Sequence, residues 1–167
     1  NVAPLYLEQL KSAVSDVFTK VHDFTFEAGE ESKNLDVINE AYEGLIDHHF
    51  NRKDVLIALG GGVTGDMTGY IAATYMRGID FIQVPTTLLS MVDSSIGGKT
   101  GVDYKQYKNM IGAFKMPRLV YINTSVLKTL SDLQFASGMA EVLKAGLLKD
   151  ANFYEWTINN FLEINDK

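Results

Sequence analysis

The chain has 167 residues, no cysteine, and a formal charge of -6 from 15 Lys and Arg against 21 Asp and Glu. Its 46% hydrophobic and 22% charged residues are ordinary for a folded domain and exclude a disordered chain, while the acidic balance offers no basic field to a nucleic acid. Without cysteine, disulfides and thiolate metal sites are excluded; with no long apolar span and no basic-then-apolar leader, the expectation is a soluble, cytoplasmic protein that binds neither nucleic acid nor membrane.

Pro4 stands near the start of a segment in which Leu7, Leu10, Val14 and Val17 recur at helical spacing, so the chain is expected to open on a helix. Phe24 and Phe26 flank Thr25 in a short alternation that reads as a strand. Leu35, Ile38, Tyr42, Leu45, Ile46 and His49 mark a second amphipathic helix, with His49 packed on its apolar stripe. Val55–Leu59 is continuously apolar and ends in glycines, the pattern of a parallel strand buried on both faces, and Phe81–Val84, closed by Pro85, repeats it. Val63–Met76 between them has helical length, which makes a βαβ unit with a right-handed crossover. After Val102 a looser polar stretch leads to a strand candidate at Leu119–Ile122 and a helix over Leu133–Lys149. The fold class is α/β, a Rossmann-like parallel sheet flanked by helices.

Gly60-Gly-Gly-Val-Thr-Gly-Asp66 lies between a predicted strand and a predicted helix, where exposed amides and the helix dipole favour a phosphate. The same glycines would also serve a tight turn that binds nothing. As Gly60-x-Gly62-x-x-Gly65 the segment fits the dinucleotide fingerprint, but the ribose-binding acid expected about 20 residues on would fall at Pro85-Thr-Thr87, which is not acidic. Ile96-Gly-Gly-Lys-Thr100 resembles the tail of an ATP-binding loop, yet Asp93 stands where that loop needs glycine and no strand directly precedes it. Its Lys99 is either a mobile cation beside a phosphate or a solvated surface lysine. Glu141 and Lys144 share a helix face and suit a metal-and-phosphate site or a simple ion pair, the pair being the plainer reading. His22, His48 and His49 show no metal-ligand spacing.

Taken in order, Gly60–Asp66, Gln83-Val-Pro-Thr-Thr-Leu-Leu89, Val92-Asp-Ser-Ser-Ile-Gly-Gly-Lys-Thr100, Lys108-Asn-Met-Ile-Gly-Ala-Phe114 and Gly138-Met-Ala-Glu-Val142 closely resemble the 3-dehydroquinate synthase family. The resemblance runs from Asn1-Val2 through Gly29-Glu-Glu-Ser-Lys33 to about Lys149 and is weaker beyond. It implies the N-terminal domain of that family's fold, with residues 1–130 as an NAD-binding α/β domain lacking its first strand and 131–167 as the start of a helical, metal-binding domain. It also implies the conversion of 3-deoxy-D-arabino-heptulosonate 7-phosphate to 3-dehydroquinate and phosphate, a step of aromatic amino-acid biosynthesis, through reversible hydride transfer and β-elimination of phosphate.

Carried over by position, the resemblance places Glu30 and Lys33 near the adenosine end of NAD. Gly61, Gly62, Val63, Gly65 and Asp66 fall around its pyrophosphate, and Thr86, Thr87, Lys99, Lys108, Val126, Leu127, Lys128 and Thr129 complete the cofactor site. Asp93, Lys99, Asn109 and Lys144 would hold a phosphorylated seven-carbon keto acid, and Arg77 would reach its phosphate across a homodimer interface. Glu141 would ligate zinc or cobalt. The family's histidine metal ligands have no counterpart after Glu141, so the chain by itself is expected to be inactive. Alternatives are another sugar-phosphate cyclase such as 2-deoxy-scyllo-inosose synthase, a metal-dependent polyol dehydrogenase, or a non-catalytic NAD-binding module.

Overall fold

A computed structural model describes residues 1–165. Helix α1 covers Ala3–Val14 and α2 covers Leu35–Asp47. Strand β1 (Val55–Gly60), helix α3 (Gly62–Thr74) and strand β2 (Asp80–Pro85) form the expected βαβ unit. Strands β3 (Lys99–Tyr104) and β4 (Tyr107–Phe114) follow, then the short β5 (Leu119–Val120). Helices α4 (Asp132–Lys149), α5 (Ala151–Asn159) and α6 (Phe161–Asn165) close the described chain.

The α/β class holds: β1, β2 and β5 make one parallel sheet in that order, with Val55 opposite Asp80 and Gly60 opposite Pro85. Helix α3 lies between this sheet and β3–β4, and so is apolar on more than one side. Met67 and Ile71 pack with Ile38 and Ala41 of α2 and Val102 of β3, while Ala72 joins Ile79 and Phe81 over the sheet. A second core joins Met91 and Leu127 to Phe135 and Met139 of α4.

Several expectations are corrected. The stretch after Val102 is not loose: β3 and β4 form an antiparallel ladder, Lys99 opposite Phe114, with an irregularity between Val102 and Tyr104. Polar residues hid it, since a hairpin wet on one face needs only half its residues apolar. Phe24–Phe26 is not a strand; no neighbouring strand offers it ladder partners among the described residues, and alternation alone does not satisfy a backbone. Helix α1 stops at Val14, leaving Val17 74% exposed. His49 lies past the end of α2 at φ 61° and is exposed rather than packed. The Leu119–Ile122 strand shrinks to two residues, and β1 is half-buried rather than sealed on both faces, because it is a sheet edge facing a cleft.

Candidate cofactor and substrate site

The parallel strands end at Gly60 and Pro85, the carboxyl edge where open α/β sheets bind ligands. Here Gly61 is the N-cap of α3 and supplies no side-chain cap, so the first amides of the helix have no side chain competing for them. This turn opens into a cleft of about 1350 Å³ whose walls include Glu30, Lys33, Gly61, Gly62, Val63, Asp66, Thr86, Thr87 and Thr129. Glycine is favoured here by close approach rather than by backbone angle: a Cβ on Gly62 would stand 3.1 Å from Ser94 Oγ, and one on Gly61 3.2 Å from Thr87 Cγ2.

The two threonines after β2 do different work. Thr87 caps the helical turn that follows: its Oγ1 accepts from Ser90 N at 3.1 Å, and Ser90 Oγ accepts from Thr87 N at 3.2 Å, a reciprocal pairing akin to a capping box. Thr86 is 5% exposed and its Oγ1 has no hydrogen-bond partner. A buried hydroxyl left unpaired is costly, and beside the amides of α3 it suits a ligand that supplies the missing bond.

Lys33, only 4% exposed, sits in the 3-10 turn region after Gly29 and sends its ammonium to Asp66 Oδ2 and to Asn109 Oδ1, both at 2.6 Å. Burial pushes the Asp66 carboxyl above its ordinary range, with the Lys33 ammonium pulling the other way. Asn109 has φ 55°, and its N–H donates to Asp103 Oδ1 at 2.7 Å, while Asp103 N donates to the Lys33 carbonyl. Lys108 pairs with Glu30 at 3.2 Å on the exposed rim. The residues expected at the cofactor and Asn109, expected at the substrate, are therefore contiguous through the Lys33 ammonium.

A second polar group lies on α4 and the π-helical turn Ser90–Ser94. Gly138 makes it possible: a Cβ there would stand 2.6 Å from Leu88 Cβ, so glycine lets α4 press onto this turn. Glu141, one turn later on α4, accepts from Lys144 Nζ at 2.6 Å. That hydrogen bond and charge raise the Lys144 ammonium above its ordinary value, with the Asp93 charge adding to it, and α4 packs against the turn that carries Asp93. Asp93 and Lys144 are exposed and Glu141 is half-buried. Lys99, also exposed, begins β3 after Gly97 and Gly98, whose φ of 90° and 66° are conformations only glycine adopts readily.

Other expected residues, apart from Thr129 in the cleft wall, lie elsewhere. Val126–Thr129 belongs to a 3-10 segment on which α1 docks through a hydrogen bond of 2.6 Å between Tyr6 Oη and Thr129 Oγ1. Leu127 is core and faces Met91, Phe135 and Met139, so its side chain is spent on packing. Lys128 lines an apolar pocket between α4 and α5 instead of the cleft. Arg77 is exposed in the kinked turn beyond the end of α3, a helix about 18 Å long that starts at Gly62. Among the described residues no group of three or more His, Asp or Glu comes together to hold a metal, which leaves Glu141 as a single candidate ligand. The Gly138–Val142 motif did not reveal that the job of Gly138 is close packing, and nothing in the sequence pointed to Asp103, which joins the nearby Asn109 to the distant Lys33.

A family model for the N-terminal part of 3-dehydroquinate synthase matches residues 23–137. The chain is 54% identical over 162 residues to the 3-dehydroquinate synthase of Hydrogenovibrio crunogenus, covering 96% of this chain and 44% of that protein. It is 55% identical over 160 residues to that of Teredinibacter turnerae, with the same shares, 96% and 44%. Among solved structures, 2-epi-5-epi-valiolone synthase from Streptomyces hygroscopicus with NAD+ and Zn2+ bound superposes with a TM-score of 0.89 at 30% identity, over 99% of this chain and 46% of that one. A 2-deoxy-scyllo-inosose synthase complexed with carbaglucose-6-phosphate, NAD+ and Co2+ gives 0.79 at 33% identity, over 83% and 38%. The chain thus spans less than half the length of these relatives. With its parallel sheet, its glycine turn and the model match across most of its length, the chain belongs to the 3-dehydroquinate synthase family.

Proposed function

We propose that the full-length protein is a 3-dehydroquinate synthase, which converts 3-deoxy-D-arabino-heptulosonate 7-phosphate to 3-dehydroquinate and phosphate in the cytoplasm as part of aromatic amino-acid biosynthesis. The observation that carries the cofactor assignment is the unpartnered Thr86 hydroxyl, buried beside the uncapped amides of α3 in one cleft. The chemistry supplied by bound NAD and metal is reversible hydride transfer at a ring carbon and polarisation of its oxygen.

The chain's own residues do the rest by holding and orienting. Amides at Gly62 and Val63 receive the pyrophosphate, and Gly61 and Gly65 keep the turn close to its neighbours. Thr86 donates to the cofactor, while Lys33 and Asp66 fix the wall against Asn109. Asp93, Lys99, Asn109 and Lys144 bind the polar groups of the phosphorylated keto acid, and positioned cations stabilise the departing phosphate. Glu141 would contribute one carboxylate ligand to a zinc or cobalt site whose other ligands would come from outside the described residues. A catalytic site of this kind ordinarily takes three protein ligands, so residues 1–167 alone would be inactive. Arg77, beyond the end of α3 opposite the glycine turn, would act on the phosphate bound by a second subunit. Residues 1–130 form the cofactor domain and 131–167 begin the metal-binding one.

Identities of 54% and 55% to 3-dehydroquinate synthases, against 30% and 33% to the two other cyclases, favour this substrate over other sugar phosphates. The test is phosphate release by the full-length protein with catalytic NAD and Zn2+ or Co2+, offered the keto acid phosphate and glucose 6-phosphate separately. Turnover of the first alone is expected; turnover of the second alone would make it a different cyclase, and NAD binding without turnover of either would leave a binding module.

A further inference from the structure

Gln83 and Ser95 are polar, buried and unused by the reading above. They are 6% and 3% exposed, and Ser95 Oγ donates to Gln83 Oε1 at 2.6 Å. Gln83 stands on β2 directly beneath the first turn of α3, where a Cβ on Gly65 would lie 3.0 Å from that same oxygen. Ser95 ends the π-helical turn, its N–H bonded to Ser90 O at 3.1 Å. The neighbouring Ser94 Oγ rests against Gly62. One buried amide therefore touches both the floor of the glycine turn and the end of the segment that carries Asp93. Residues two apart on a helical turn face nearly opposite ways, so with Ser95 held inward Asp93 is turned out to solvent.

We propose that Gln83 and Ser95 are positioning residues, whose hydrogen bond fixes Asp93 relative to the N-terminal turn of α3 and so holds the substrate side and the cofactor side of the cleft in one geometry. The proposal rests on the functional reading above for what the two sides bind. A bond that served stability alone would lower the melting temperature and leave turnover per folded molecule unchanged. A positioning bond acts on the reacting geometry, where a displacement of about 1 Å costs on the order of a hundredfold in rate.

The test is Ser95→Ala, Gln83→Leu and the double variant in the full-length protein, with Tyr42→Phe as a control that removes a hydrogen bond to Thr74 at the far end of α3. Each single change is expected to lower kcat about ten- to a hundredfold, and the double variant to lose no more than either. Tyr42→Phe is expected to cost melting temperature only. Amide hydrogen exchange, which needs no turnover, is expected to quicken across residues 90–96 and 62–65 in Ser95→Ala. Wild-type kcat in both single variants, or losses that add in the double variant, would overturn the proposal. If the wild-type protein releases no phosphate, the functional reading has failed, and exchange then decides alone: unchanged protection at both segments would sink the positioning claim as well.

Discussion

The glycine-turn wall of the cleft and the Asp93–Lys144 surface carry comparable sets of polar residues but are built by different physics. On the first, Lys33 is 4% exposed, Thr86 5%, and the glycines lie close against Ser94 and Thr87. On the second, Asp93, Lys99 and Lys144 are exposed, and the ordered contact is one ion pair between Glu141 and Lys144. The first wall is held by the core and is ready to receive a ligand. The second is held by solvent-screened charge, whose worth depends on what covers it. Substitutions should therefore split: changes on the buried wall alter both binding and folding, and changes on the open surface alter chemistry with little effect on folding.

The sharpest break of that comparison is Glu141→Ala in the full-length protein. Phosphate release is expected to fall to background with the melting temperature barely moved, because the Glu141 carboxylate is half-buried and its ordered contact is one ion pair. A Glu141→Ala protein that unfolds early would place this residue with the structural wall instead.

Lys99→Ala comes next. The loss of a charge-assisted bond to substrate is expected to cost roughly 1.5–3 kcal/mol in kcat/KM, with denaturant stability changed by less than about 0.5 kcal/mol because the side chain is exposed. Equal losses in both measurements would show that the open surface is structural after all.

On the buried side Thr86→Val should do two opposite things. It removes an unpaired buried hydroxyl, so the unliganded protein should be unchanged or stabilised by up to about 1 kcal/mol, while NAD affinity measured by calorimetry drops. Unchanged affinity would remove Thr86 from the cofactor site.

The smallest effect is a pH dependence. Burial raises the Asp66 carboxyl, so the folded protein holds that proton more tightly than the unfolded chain. Stability should then fall as pH rises from the ordinary value of 3.8 to the raised folded value, and stay level above it. Asp66→Asn is expected to flatten this slope in denaturant midpoints taken across that range; an unaltered slope would assign it to other carboxylates.

Sequence by itself determined the βαβ unit, because Val55–Leu59 and Phe81–Val84 are local apolar runs and the glycine turn between strand and helix is a local backbone requirement. Its ordered motifs also carried the family. What no local pattern could fix were pairings between distant segments. The β3–β4 hairpin, though local in sequence, was hidden by its polar residues, and Phe24–Phe26 failed as a strand for want of a neighbour to pair with among the described residues. Nothing in either threonine distinguishes Thr86 from Thr87; the next turn's cap occupies one and tertiary burial isolates the other. Lys33 meets Asp66 and Asn109 across 33 and 76 residues, and Ser95 meets Gln83 beneath a helix that begins at Gly62. Hydrogen bonds between side chains carry no periodicity of their own, so their partners were decided only when the layers packed.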